Sequence, residues 1–206
     1  MALLSIALPP VLKNEGGYVN NPKDPGGETY RGISRKNNPS WAGWAIIDRY
    51  KNSRTLKTDD VIKDAQLDSL VQQEYESKYW KPFKGDTIQN QDVANIYFDM
   101  HVNSGAAVKL MQKTLNSLGN KVTITNKNDA DTITAINTTD APTLYNAYKK
   151  ARIDYYNELV NKGTLDKSFL KGLLDRVNKA FPDLQGLLNS GVTAVKKKPS
   201  PLEQEG

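Results

Sequence analysis

Beyond residue 40 the apolar positions recur at intervals of three and four. Leu67, Leu70, Val71, Tyr75 and Tyr79 form one stripe, and Ala107, Leu110, Met111, Thr114, Leu115 and Leu118 form a cleaner one. Leu144, Tyr148, Tyr155 and Leu159 follow, and Leu170, Leu173, Leu174, Val177 and Phe181 close the series. Stripes of this period are the core-facing sides of amphipathic helices. Residues 91–104 depart from the pattern, because Val93, Ala94, Ile96, Tyr97, Phe98, Met100 and Val102 surround the helix almost completely. A helix apolar all round lies at the centre of the fold. Asp99 and Asn103, spaced i, i+4 on one face of it, are then expected to be partly buried and to need hydrogen-bond partners. They read as supports that brace a neighbouring loop, with the backbone amides of the glycine-rich segment before residue 33 as partners.

The N-terminal part is different. Pro9 and Pro10, then VLKN, then Gly16 and Gly17 predict a short helix with proline in its first turn and glycine at its end. Glu15 falls at the C-terminal end of that helix, where a negative charge opposes the helix dipole and is unfavourable for stability alone. The following GGYVNNPKDPGGETYRG is crowded with turn residues and predicts consecutive turns with one irregular hairpin. Further on, residues 119–131 break the helical period, with one short strand expected at Lys121–Thr125, and residues 191–206 read as a basic and polar tail. The expected architecture is a mainly α single domain over residues 1–190, with a small irregular or β-containing lobe near the N-terminus.

Composition narrows the chemistry. No apolar run approaches the ~20 residues of a spanning helix, and the opening MALLSIALPP lacks the basic and cleavage regions of a signal peptide. Synthesis in the cytoplasm and no stable membrane insertion are therefore expected. The chain has 206 residues, no cysteine and one histidine, His101, which excludes disulfide scaffolds, cysteine nucleophiles and histidine-rich zinc sites. The net charge of +5 is spread thinly, apart from the run Lys196–Lys198, so nucleic acid is not an expected partner. His101 reads as an ordinary helix residue.

Chemistry must then come from carboxylates, hydroxyls or amides. Cleavage of a glycosidic bond needs a proton donor for the leaving oxygen and a second group that guides water or stabilises positive charge. Glu15 and Asp24 flank the turn-rich segment, and the hydroxyl of Thr29 follows closely. On position alone this triplet competes with a solvated loop carrying ordinary charges.

The residues NEGGYVNNPKDPGGETYRGIS at 14–34, followed by Tyr79-Trp80 and YFDMHVNSG at 97–105, resemble the signature of the glycoside hydrolase 108 family of bacterial and phage N-acetylmuramidases. The resemblance covers about residues 8–180. It implies a lysozyme-like helical fold that hydrolyses the β-1,4 bond between N-acetylmuramic acid and N-acetylglucosamine in peptidoglycan. It makes Glu15 the catalytic acid, expected in apolar surroundings that keep its proton near neutral pH. The order Glu, Asp, Thr also resembles that of bacteriophage lysozymes, which implies that Asp24 with Thr29 holds or activates the attacking water, an arrangement that favours inversion. Thr29 comes five positions after Asp24, one fewer than in those lysozymes.

Two departures from the family pattern stand out. Gly172-Leu173 replaces a Gly-Trp pair, and residues of about 105–140, including NKNDADTITAIN, resemble a peptidoglycan-binding segment without its glycines. Tyr18, Tyr30 and Trp80 are candidate sugar contacts, since aromatic faces suit pyranose rings; Trp41 and Trp44 are weaker ones. The implied partners are peptidoglycan glycan strands, met by a monomer after release through a holin-type pore or by lysis, with no metal or organic cofactor. The competing reading is a non-hydrolytic wall-binding or secretion-accessory protein that keeps the same fold.

Overall fold

A computed structural model describes residues 1–21 and 27–184. Asp24 and the tail at 191–206 lie outside the described residues. Each predicted stripe becomes helical, and α2, α4 and α7 join them: the helices are α1 (Leu4–Glu15), α2 (Gly43–Ser53), α3 (Ala65–Tyr75), the one-turn α4 (Lys81–Phe83), α5 (Gln91–Asn103), α6 (Ala107–Ser117), α7 (Ala130–Thr138), α8 (Ala141–Asn161) and α9 (Lys167–Ala180). Between α3 and α4, residues Glu76–Trp80 are wound as a π-helical turn. The starts of α3, α5, α7, α8 and α9 are set by Asp64, Asn90, Asp129, Asp140 and Asp166, whose side chains accept backbone N–H groups of the first turn. Each such cap contributes about 1 kcal/mol. Among the described residues no helix is long and apolar enough to cross a membrane.

The all-round apolar helix is central as expected. Val93, Ala94, Ile96, Tyr97, Phe98, Asp99 and Met100 of α5 are all buried, and α1, α6 and α8 pack around it. One cluster of buried side chains runs from Ala2 to Phe181. The mainly α reading with a small β region holds.

Two local expectations do not. Helix α1 starts at Leu4 and carries Pro9 and Pro10 in its middle, not its first turn. The prolines remove backbone donors, and α1 tolerates them because Leu4, Ala7, Leu8 and Val11 bury one face while Gln91 clamps its start, donating to Leu3 O and accepting from Leu3 N. The strand at Lys121–Thr125 does not form. Side chains take the place of a partner strand there: Gln112 Oε1 accepts from the N–H groups of Thr125 and Asn126, and Asn116 satisfies both main-chain groups of Val122.

The β region is a three-stranded antiparallel sheet in the order β1 (Tyr18–Val19), β2 (Thr29–Tyr30), β3 (Ile33–Ser34), with Tyr18 opposite Tyr30 and Tyr30 opposite Ile33. Arg31 and Gly32, at φ 50° and 77°, form the two-residue turn between β2 and β3. Positive φ at both positions is the hairpin geometry that matches strand twist. Gly17 sits where a Cβ would meet the Asp59 and Asp60 carbonyl oxygens at 2.5 Å, so the chain leaving α1 can lie directly against residues 59–60. There Tyr18 and the Asp59–Asp60 segment exchange backbone hydrogen bonds of 2.9 Å.

Candidate active site

Glu15 ends α1 at the junction of helices and sheet, its side chain 25% exposed. The β2–β3 turn is pinned over it from two sides. Arg31 Nη1 donates to Leu12 O at 3.2 Å, and the Tyr75 hydroxyl donates to Arg31 O at 2.9 Å. Burial, and then the nearby Glu15 charge, push the Tyr75 phenol well above its ordinary pKa, so it remains a donor. A Cβ on Gly32 would lie 2.7 Å from the Tyr75 hydroxyl and 3.1 Å from Glu15 Oε2. Gly32 therefore keeps open the space beside that oxygen. We expect Gly32→Ala to destabilise the fold by about 1 kcal/mol or more, through the left-handed φ, and to lower activity as well. Thermal unfolding together with a turnover assay checks both.

On its other side Glu15 meets charge, not the apolar walls anticipated. Arg176 of α9 approaches Glu15 Oε1 through Nη1 at 3.4 Å and Nη2 at 3.5 Å. The same guanidinium donates to Asp99 more closely, from Nη2 to Oδ1 at 2.8 Å and from Nε to Oδ1 at 3.0 Å and Oδ2 at 3.2 Å. Asp99 Oδ2 also accepts from Arg152 Nη2 at 2.9 Å, and both members of that pair are 0% exposed. Burial works against the charge on Arg176; the Asp99 hydrogen bonds and the charges of Asp99 and Glu15 outweigh it and raise its pKa. A chain of four charged groups thus links Glu15 to the centre of the fold.

Asp99 is buried as expected, but its partners are two guanidiniums and not the backbone amides of the glycine-rich loop. Buried carboxylate on an apolar helix needs a counter-charge more than it needs neutral donors. Asn103 is exposed, with long contacts from Arg176 Nη1 at 3.5 Å and to the Tyr156 hydroxyl at 3.4 Å. Thr29 lies on the central strand, its hydroxyl donating to Gly27 O at 3.2 Å.

The aromatic candidates are corrected. Tyr30 is 0% and Trp80 2% exposed, which leaves no ring face for a sugar. The Tyr30 hydroxyl bonds the main chain of Ile62, and Trp80 covers Gly85, packs edge-on to Phe98 at 5.0 Å and donates to Asp86. Tyr18 is buried too and donates to Glu28 at 2.9 Å, where Arg35 and Lys51 also converge at 2.6 and 2.7 Å. Glu28 is thereby tied into the sheet. Trp44 is buried and Trp41 partly so. His101 packs at a tilt against Phe83, ring centroids 4.8 Å apart, and burial lowers its pKa.

A cleft of about 480 Å³ opens beside the four-charge chain, lined by Asn14, Asn103, Tyr156, Phe169, Leu173 and Arg176 among others. Phe169 is 64% exposed, so the cleft has an accessible aromatic that the sequence patterns did not single out. Among the described residues no group of three or more His, Asp or Glu is gathered as a metal site. Arg152 and Arg176 were also missed, although one signal was present. Tyr148, Arg152 and Tyr156 are spaced i, i+4, i+8 on the buried face of α8, and an arginine in such a stripe requires an acid, which α5 offered at Asp99.

No curated protein matches the chain. A solved structure described as that of Brucella abortus SagA is similar, with 25% identity and a TM-score of 0.54, covering 87% of this chain and 94% of that one. The profile described as "Glycosyl hydrolase 108" matches residues 8–105, and one described as "Predicted Peptidoglycan domain" matches residues 106–178. Residues 8–105 thus match the glycosyl hydrolase 108 family and residues 106–178 a peptidoglycan domain, a combination that indicates a glycoside hydrolase acting on the peptidoglycan of the cell wall.

Proposed function

We propose that the protein is an N-acetylmuramidase that hydrolyses the β-1,4 bond between N-acetylmuramic acid and N-acetylglucosamine, with Glu15 as general acid. The observation that carries this reading is the placement of Glu15. It is a partly exposed carboxylate at a helix end, beside the turn held open by Gly32 and next to the cleft that Asn14 and Arg176 line. In the reaction Glu15 gives its proton to the glycosidic oxygen as the bond from the muramic acid C1 breaks. Water adds its oxygen to that carbon and its proton passes to the second carboxylate, for which Asp24 is the candidate, with Thr29 holding the water.

Aspartate can accept that proton and asparagine cannot. Asp24→Asn is expected to reduce turnover more than about tenfold while helicity stays unchanged, and Thr29→Ala to have a milder effect. Rates on purified peptidoglycan, measured with far-ultraviolet circular dichroism on the same samples, check both. A silent Asp24→Asn would move the second role to another carboxylate. Proton magnetic resonance of the freshly released reducing end tests for the inverting outcome. Binding of peptidoglycan without any release of reducing ends would favour a non-hydrolytic wall-binding role.

A further inference from the structure

Arg176 touches one oxygen of Glu15 and leaves the other alone. Both guanidinium contacts, at 3.4 and 3.5 Å, go to Oε1, whereas Oε2 faces Gly32, where the missing side chain leaves room. An arginine offers donors and no acceptor, so a proton on Oε1 would point at N–H groups. From this asymmetry we infer that Arg176 is a positioning residue for the catalytic acid: it holds Glu15 by Oε1 and makes Oε2 the oxygen that carries and delivers the proton.

The hold is built to be rigid. Arg176 is itself fixed by three hydrogen bonds to Asp99, which is locked by Arg152, whose Nη1 donates to Ile96 O at 2.9 Å. The guanidinium fork is planar, and using one edge on Asp99 leaves Nη1 and Nη2 aimed at Glu15. A lysine, with a single ammonium on a flexible stem, cannot serve both carboxylates in that way.

The arrangement has a consequence for how the chain is organised. Glu15 lies in the stretch matched by the hydrolase profile, and Arg152 and Arg176 lie in the stretch matched by the peptidoglycan profile. The second stretch therefore contributes to the catalytic centre itself and is more than a wall-binding attachment.

The inference rests on the muramidase reading, and the test separates the two. Arg176→Met and Arg176→Lys are compared with the unaltered full-length chain on soluble glycan strands of peptidoglycan. Misplacing a catalytic group by about 1 Å costs about a hundredfold, so kcat is expected to fall about 10- to 100-fold in both variants with KM changed less than about twofold. The lysine variant should stay folded, and it decides the matter should the methionine variant unfold. A general loss of packing would lower melting temperature and disturb KM alongside kcat. Unchanged kcat in a folded Arg176→Lys would overturn the proposal. If the unaltered protein releases no products, the muramidase reading falls. The carboxyl carbon-13 resonance of Glu15 then decides the present point, since it should move in Arg176→Lys if the contact exists and stay in place if it does not.

Discussion

Glu15→Gln is expected to lower hydrolysis of peptidoglycan by about two orders of magnitude or more, the contribution of a positioned general acid, with no loss of fold. Glutamine has the same shape but no proton of suitable acidity to give to the leaving oxygen. The structural cost should be small. Glu15 is partly exposed, its contacts with Arg176 are long, and Arg176 keeps Asp99 as its closer partner. Melting temperature should therefore stay level. Turnover on purified peptidoglycan, beside thermal unfolding of the same preparation, gives both quantities. Near-normal turnover in a folded variant would remove Glu15 from the mechanism.

Asp99→Asn should do the reverse in its primary effect. Asp99 and Arg152 are 0% exposed and the Arg176 side chain 10%, so an amide in place of the carboxylate leaves two largely buried guanidiniums without their shared counter-charge. Breaking such a pair from one side costs about 3–5 kcal/mol. For a chain of this size that corresponds to a fall in melting temperature of about 6–20 °C. Activity should fall as well, because Arg176 loses the anchor that aims it at Glu15. Scanning calorimetry of the unaltered protein and Asp99→Asn measures the shift. A change of less than about 3 °C would mean that the buried charges are compensated elsewhere. The two substitutions thus separate roles that lie two steps apart on one chain of four charged groups: Glu15→Gln takes activity and spares stability, and Asp99→Asn takes stability and activity together.

Periodicity made most of the helical framework legible. The stripes at 67–79, 107–118, 144–159 and 170–181 fall on α3 with its π turn, α6, α8 and α9, and the apolar residues around 91–104 placed α5 at the centre. Burial of Asp99 followed from the same pattern. Its partners did not, because they stand 53 and 77 residues away; the Tyr148–Arg152–Tyr156 stripe marks a buried arginine but not which helix supplies its acid. The aromatic assignments failed for a related reason. Nearness to the loop in sequence suggested sugar contact for Tyr18 and Tyr30, yet cross-strand pairing of Tyr18 with Tyr30 and of Tyr30 with Ile33 turns both rings inward. At 121–125 the apolar–polar alternation was real, but a strand needs a partner, and the side chains of Gln112 and Asn116 satisfied the backbone first. The two prolines misled in the opposite direction. They mark a helix start in most sequences, whereas here buried Leu4, Ala7 and Leu8 extend α1 ahead of them.

In the proposed mechanism Glu15 drives hydrolysis at the muramic acid side of the glycan bond. Mass analysis of peptidoglycan digested by the full-length protein, run in parallel with Glu15→Gln, tests it most directly. Fragments ending in reducing N-acetylmuramic acid are expected from the unaltered protein and almost none from the variant. Fragments ending in reducing N-acetylglucosamine or in anhydro-muramic acid, or equal release by both proteins, would contradict it.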